Sequence, residues 1–178
     1  MSKVKLFIGV LCITLLFTAC KGKETAQGKL QIQFKHLIDN KDIQYDSMMY
    51  VNAANNTYLI TEIKYFISRV ALFKNGERIE IKKNDGIHYI DTKLEKTQSW
   101  DIEQSFNEGM YDSIQFIFGF NEKDNESNRF VNPPETSMAW PLTLGGGYHY
   151  MMMNGKYKRL DGSIAGMNIH LGIGQLYE

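Results

Sequence analysis

Apolar and polar residues alternate with a period of two in several short segments of this 178-residue chain. Over 29–38 one face is formed by Leu30, Ile32, Phe34, His36 and Ile38, and 111–120 repeats the pattern with Ile114, Phe116, Phe118 and Phe120. Because successive side chains of a β-strand point to opposite faces, this period is typical of strands with one buried face. A chain with this pattern is expected to fold as sheets.

Turn signals separate the segments that have strand character. Asn75-Gly76 predicts a tight hairpin that pairs 58–73 with 78–82, although 62–70 taken alone also fits one face of a helix. Further turns are predicted at 39–42 and 85–86, and closing strands at 148–153 and 164–173. About seven to nine short strands joined by tight turns and long loops predict an all-β fold, an antiparallel β-sandwich.

Length and composition fit a single domain. A chain of 178 residues is of ordinary size for one domain and short for two. Its 20 basic side chains balance 20 acidic ones, whereas nucleic-acid-binding proteins normally carry a strongly basic face. Aromatic residues make up 12% of the chain, which argues against disorder over most of its length. We therefore expect a folded domain that does not bind nucleic acid.

The first twenty residues have the pattern of a targeting segment. Lys3 and Lys5 precede an apolar run over 6–17. As a helix this run would span about 18 Å, less than the ~30 Å hydrocarbon core of a bilayer, so it is not interpreted as a membrane span. Small residues before Cys20 resemble the lipobox of bacterial lipoproteins, with an ordinary secretory signal as the alternative. We predict a signal peptide over 1–19 and a lipid anchor at Cys20 that attaches the protein to the outer membrane, facing the periplasm or the cell surface.

Cysteine usage agrees with this division of the chain. Cys12 lies in the segment to be removed and Cys20 would carry acyl chains, so the mature domain has no thiol. A disulfide, a thiolate metal site and a cysteine nucleophile are therefore not expected there. Polar residues over 20–28 predict a tether, and 29–178 is predicted to form the folded domain.

Two histidines are the preferred candidates for a metal site, because neutral imidazole is the commonest transition-metal ligand. His36 shares the apolar face of its predicted strand with Ile32 and Phe34. His170 instead lies on the polar face of its strand beside Gly172, where a ligand has room to approach. A histidine without a metal, buried at one position or exposed at the other, is the alternative for each.

A third candidate ligand belongs to a methionine-rich strand. His149, Met151 and Met153 alternate on one side, and such a stripe of imidazole and thioether groups could hold copper. Methionine is also flexible core filler, and that interpretation is favoured. His88 is predicted to face solvent. The alternating carboxylates of the 122–126 segment could form a calcium site, but a solvated loop explains them better.

Several short motifs follow one another through most of the chain after the tether. They are Phe34-Lys35-His36, 65–70 with the Asn75-Gly76 turn, 111–119, Met138-Ala139-Trp140, Gly147-Tyr148 and His170-Leu171-Gly172. In this order and spacing they resemble the MbnP-like family of periplasmic and surface copper-binding proteins, which is related to the methanotroph proteins MopE and CorA. The chain departs from the family pattern at Leu142, where a second aromatic residue is frequent, and at Asn154-Gly155, where Glu-Gly is common.

The resemblance implies a loop-rich β-sandwich with a single copper site. In characterised relatives, histidines hold the copper together with a kynurenine made by oxidising a tryptophan, and a dihaem peroxidase-like partner is associated with that modification. Carried over to this chain, the resemblance implies His36 and His170 as ligands and Trp140 as an oxidised tryptophan near the metal. His149 remains a further candidate ligand from the residue pattern.

Two functions are considered. The first is an envelope lipoprotein that binds one copper ion, for sequestration or delivery, through histidines on separate strands. The second is a surface binding or assembly module without metal, in which the 121–146 loop and Trp140 contact a protein or glycan. Because neither a nucleophile motif nor a phosphate or dinucleotide loop is present in the sequence, we do not expect an enzyme. We expect a monomer whose partners are the membrane and a dihaem peroxidase-like protein.

Overall fold

The computed structural model describes residues 26–173, and over that range the fold is all-β with antiparallel sheets. This confirms the predicted fold class. The strands are β1 (Gln27–Gln33), β2 (Leu37–Ile38), β3 (Lys41–Asp42), β4 (Tyr50–Val51), β5 (Thr57–Lys74), β6 (Glu77–Glu80), β7 (His88–Asp91), β8 (Ser99–Asn107), β9 (Ser113–Phe118), β10 (Met151–Lys158) and β11 (Ile164–Leu171). Short 3-10 turns lie at Lys83–Gly86, Glu95–Thr97, Glu135–Met138 and Leu142–Leu144.

Strand β5 is the centre of a seven-stranded sheet. Its 18 residues pair with β10 and then β9 along one edge, and with β4, β7 and β6 along the other. Strand β11 adds to the outer edge of β10. The predicted hairpin at Asn75-Gly76 is confirmed, because both residues have positive φ, at 52° and 79°, as a type I′ turn requires.

The two faces of the central strand pack against two different hydrophobic cores. Ile67 faces a second layer made by β1 and β8, which pair with each other and complete the sandwich. Phe66 faces the opposite way and packs against the long segment between β9 and β10, including Phe120, Met138 and Tyr148. This long segment therefore forms a layer of the domain and covers one face of the main sheet.

An ion pair fastens the long segment to the central strand. Arg69 interrupts β5 at a bulge, where its φ is +53° and the register with β9 shifts. Its guanidinium donates to both carboxylate oxygens of Asp124, whose side chain is only 5% exposed. The bond from Arg69 holds the pKa of Asp124 below its usual value, against the opposing effect of burial. The prediction of a solvated loop is therefore wrong at Asp124, which is buried, and since Arg69 binds its carboxylate, Asp124 is not available to a calcium site either.

Three details of the strands differ from the sequence prediction. β1 begins at Gln27, inside the predicted tether, and it ends at Gln33, so 29–38 does not form one strand. The nine-residue strand β8 was not predicted. Residue 120 departs from the predicted alternation of 111–120, because Phe120 is buried against Phe66, on the face opposite to that of Phe118. The alternation ends with β9, which Gly119 follows with a φ of +88°, and Ile114, Phe116 and Phe118 remain about half exposed.

The prediction that His88 faces solvent is wrong. His88 pairs with Ile67 across the β5–β7 ladder and therefore points at the second layer. Its ring stacks on Trp100 at 4.9 Å between centroids and on Phe34 at 5.5 Å, while its Nε2 lies 2.8 Å from the Thr97 carbonyl oxygen. The alternation in 87–91 marks two buried faces, because both sides of the main sheet are covered there.

The predicted signal peptide and Cys20 lie outside the described residues. Between residues 26 and 173, none of the helical segments has the length and apolar character needed to cross a bilayer.

Candidate metal centre

Two of the candidate histidines meet at the end of the main sheet. The ring centroids of His149 and His170 are 4.9 Å apart and the ring planes are nearly perpendicular, at 89°. His170 belongs to β11, whereas His149 lies two residues before β10 begins, at the end of the long segment. The antiparallel pairing of β10 with β11 brings the two imidazoles together.

The imidazole of His149 is held by a backbone carbonyl. Its Nδ1 lies 3.0 Å from the Met138 carbonyl oxygen, and its own backbone N–H donates to the same oxygen at 2.7 Å. A carbonyl oxygen only accepts, so Nδ1 carries the proton and Nε2 keeps a free lone pair in the neutral ring. The side chain is buried, with 8% of the residue exposed. A neutral imidazole fixed in this way by its other nitrogen is typical of metal-ligating histidines.

His170 is held from the adjacent strand. Its Nε2 lies 2.9 Å from Asn154 Oδ1 on β10. Burial lowers the pKa of His170, and the neighbouring His149 lowers it further. Both effects favour the neutral ring, which is the form that binds a metal ion.

Trp140 closes one side of the histidine pair. Its indole contacts the His149 ring edge-on at 4.5 Å between centroids, and its Nε1–H donates to the Leu144 carbonyl at 3.0 Å. The other side of the indole lies against Gly172, where a β-carbon would come within 2.6 Å of Trp140 Cε3. Because glycine has no side chain, the indole can lie against the backbone at this position and contact the histidine pair.

A small network of hydrogen bonds fixes the chain around Trp140. The Trp140 backbone N–H donates to the Gly147 carbonyl at 2.8 Å, and residues 139 and 148 form an isolated β-bridge. The side chain of Asn125 accepts from the Tyr148 N–H at 2.8 Å, and that of Ser127 accepts from the Gly147 N–H at 2.8 Å. Gly147 has a φ of +76°, and a β-carbon on it would lie 2.6 Å from Asn125 Oδ1. These hydrogen bonds within the long segment hold the backbone on which Trp140 and His149 are placed.

The structure does not bring His36 to this pair. His36 Nε2 lies 3.1 Å from the hydroxyl of Tyr65, and the two rings meet edge-on at 5.6 Å. Tyr65 pairs with Met151, whereas His170 pairs with the next residue, Met152. Because neighbouring residues of a strand point to opposite faces, His36 and His170 lie on opposite faces of the main sheet. Burial lowers the pKa of His36 and raises the pKa of Tyr65 to about 12.

The methionine near His170 is Met152, rather than Met151 or Met153. Met152 is the direct cross-strand neighbour of His170, while Met151 is the neighbour of Leu171. The predicted stripe extended strand alternation back to His149, but β10 begins only at Met151. The register between β10 and β11 determines which methionine lies beside His170, and this register cannot be read from the sequence of one strand.

The donor set at this place suits a metal with few protein ligands. Within residues 26–173 no group of three or more His, Cys, Asp or Glu side chains is placed to hold a metal ion. Among residues 26–173, no partner binds His149 Nε2 or His170 Nδ1, and the other nitrogen of each ring is hydrogen-bonded. The unmodified indole of Trp140 adds no lone pair, because its Nε1 is a donor only. The residues present would therefore give a copper ion two histidine ligands beside a tryptophan.

Comparison with known proteins gives a family. No curated protein and no solved structure matches the chain significantly. The family model MbnP matches residues 27–175, which is nearly the whole domain after the predicted signal peptide. The chain therefore belongs to the MbnP family, which is associated with copper-related function and with proteins of the cell envelope or exterior.

Proposed function

We propose that this protein binds one copper ion at His149 and His170, beside Trp140, and stores or delivers it in the cell envelope. The observation that carries the proposal is the contact between the two imidazoles, 4.9 Å apart between centroids, each with one ring nitrogen bonded to the protein and one free. Two histidines from separate segments, fixed in this way, form the start of a coordination sphere.

Copper is the metal that this donor set favours. For nitrogen ligands, affinity along the first-row divalent ions is highest for Cu(II). Two imidazoles leave coordination positions free, which water, a small ligand or an oxidised form of Trp140 would fill. Met152 is the neighbouring thioether, and a soft sulfur donor would add affinity for Cu(I).

Metal stoichiometry tests the proposal. The purified protein is loaded with Cu(I), Cu(II) or Zn(II), dialysed and measured by elemental mass spectrometry, together with its intact mass to detect oxidation of Trp140. We expect about one copper per chain and loss of tight binding in His149→Ala and in His170→Ala. His36→Ala is the matched control and should retain copper, because His36 lies on the other face of the sheet. Wild-type protein without retained copper would overturn the proposal, and loss of copper in His36→Ala would return His36 to the ligand set.

A metal-free binding role is a second candidate, favoured by a cleft on the outer side of Trp140. The cleft has a volume of about 410 Å³ and is lined by Phe130, Val131, Trp140, Leu142 and Tyr148, among others. Val131 and Leu142 are more than 70% exposed and line this cleft together, and apolar residues grouped in one exposed patch favour a partner-binding surface where single ones do not. Leu142→Glu should abolish binding of a protein or glycan partner in this cleft while leaving the copper stoichiometry unchanged.

The remaining parts of the proposal concern place and partners. We propose that acyl chains on Cys20 hold the domain at the outer membrane, that the protein acts as a monomer without catalytic activity, and that a dihaem peroxidase-like protein acts on Trp140. Cys20→Ala should move the protein from the membrane fraction to the soluble fraction. Deleting the peroxidase-like partner from the host should leave the intact mass at its unmodified value.

A further inference from the structure

Three neighbouring strands supply a chain of polar side chains that ends on His170. Glu62 on β5 and Asn154 on β10 are partners in the β5–β10 ladder, and His170 lies on β11 beside them. Asn154 Nδ2 donates to Glu62 Oε1 at 2.9 Å, and Asn154 Oδ1 lies 2.9 Å from His170 Nε2. Lys64 contacts the other carboxylate oxygen of Glu62 at 3.1 Å.

The direction of each hydrogen bond follows from the carboxylate. An ionised carboxylate has only acceptors, so Asn154 must turn its NH₂ group toward Glu62. Its carbonyl oxygen then faces His170, and since this oxygen also only accepts, the proton of the neutral imidazole must be on Nε2. Burial raises the pKa of Glu62, but the bonds from Asn154 and Lys64 outweigh burial and lower it, which keeps the group ionised at neutral pH.

We propose that Asn154, oriented by Glu62, is a positioning residue that sets the tautomer of His170 and leaves Nδ1 as its copper donor. The copper part of this inference rests on the proposed function of the His149–His170 pair. At His149 the Met138 carbonyl takes the Nδ1 proton and leaves Nε2 free. The pair therefore offers one Nδ1 and one Nε2 donor.

The tautomer can be measured without any metal. Long-range ¹H–¹⁵N NMR of the metal-free protein at neutral pH distinguishes a protonated from a bare imidazole nitrogen. We expect His170 to show a protonated Nε2 in the wild type. Asn154→Leu removes the acceptor, and we expect a mixture of the two tautomers. Glu62→Gln can present an NH₂ group to Asn154, which allows the amide to reverse and shifts His170 toward the Nδ1–H form.

Asn168→Leu is the matched control. Asn168 lies on β11, pairs directly with Asn154 and is exposed. The same substitution there changes the same part of the sheet but leaves the hydrogen bond between Asn154 and His170 in place. Its His170 tautomer should be that of the wild type. Thermal unfolding of all variants identifies any that fail to fold. If Asn154→Leu fails to fold, the tautomer of the wild type and that of Glu62→Gln still test the inference.

Copper binding supplies the second readout. Loss of an outer hydrogen-bond partner of a metal-ligating histidine typically lowers metal affinity about 10- to 100-fold, and we expect this range for Asn154→Leu with little change in Asn168→Leu. A wild-type His170 protonated on Nδ1, or an unchanged tautomer in Asn154→Leu, would overturn the inference even if copper binds. If the wild type binds no copper, the proposed function and the donor assignment fail together, while the tautomer result stands on its own.

Discussion

The indole of Trp140 rests on the backbone of Gly172, so close that a β-carbon at Gly172 would lie 2.6 Å from Trp140 Cε3. Gly172 follows β11 directly, two residues after His170, and Trp140 in turn contacts His149. The glycine is thus part of the geometry of the histidine pair although it carries no side chain.

Gly172→Ala should displace Trp140 from His149. The added methyl group cannot be accommodated without moving the indole or the strand, and overpacking of this kind costs about 1–3 kcal/mol of unfolding free energy. We expect a changed Trp140 indole N–H resonance in NMR spectra and a lower midpoint of urea unfolding. Gly166→Ala is the control on the same strand, because a β-carbon there meets nothing within 4 Å. Equal behaviour of the two variants would contradict the role assigned to Gly172.

The sequence predicts where the strands lie along the chain better than it predicts how the strands pair with one another. Alternation and the Asn75-Gly76 turn identify most strands and the sandwich, because each is a property of a few consecutive residues. The alternation places His36 on the side of Ile32 correctly, because its partner Tyr65 packs in the same core although β1 ends at Gln33. That side is opposite to the side of His170. Which histidines meet depends on the register of β5, β10 and β11, and no single segment encodes that register.

Asp124→Asn should loosen the long segment that carries Trp140 and His149. Arg69 donates to both oxygens of the buried Asp124, and an amide offers only one acceptor to that guanidinium. Because Arg69 is partly exposed, we expect a loss of about 2 kcal/mol of unfolding free energy, within the range for hydrogen bonds to charged groups.

The matched control for this change is Asp85→Asn. Asp85 pairs with Arg129 at 2.6 Å, but its side chain is 54% exposed, so the pair should contribute no more than about 1 kcal/mol. The pH dependence gives a second check. The pKa of Asp124 is lowered in the folded state, so its stabilising effect is present above the usual value of 3.8 and disappears as pH falls below it. Urea unfolding at several pH values should show a larger loss in the wild type than in Asp124→Asn, because Glu62 and the other carboxylates with lowered pKa values are present in both proteins.

His88→Gln should make stability less sensitive to mild acid. Burial between Phe34 and Trp100 lowers the pKa of His88 below 6.5, and this outweighs the bond to the Thr97 carbonyl, which raises it. As pH falls through 6.5 the unfolded chain takes up a proton that the folded protein does not, so unfolding becomes more favourable until the folded-state pKa is reached.

Urea unfolding of both proteins between about pH 7 and pH 5 measures the difference. The pKa values of His36 and His170 are also lowered by burial, but these residues are present in both proteins, so the difference reports His88 alone. Parallel stability curves for wild type and His88→Gln would mean that His88 titrates alike in the folded and unfolded chain.

Gln104 makes strand β8 difficult to recognise in the sequence. Trp100, Ile102 and Phe106 alternate as in the predicted strands, but Gln104 interrupts the apolar series. Its amide joins the two layers, donating to the Glu80 carbonyl at 3.1 Å and accepting from the Lys82 N–H at 3.1 Å.

Gln104→Leu should therefore destabilise the fold although it completes the apolar alternation. Both backbone groups lose their side-chain partner, and since water reaches this edge, the expected cost is about 1 kcal/mol. Glu103→Ala is the control one residue away, with a side chain that is 74% exposed and an expected effect within about 0.5 kcal/mol. The free energy of urea unfolding decides the matter. A Gln104→Leu variant more stable than the wild type would mean that burial of the leucine outweighs the two hydrogen bonds, and that strand patterning governs this position after all.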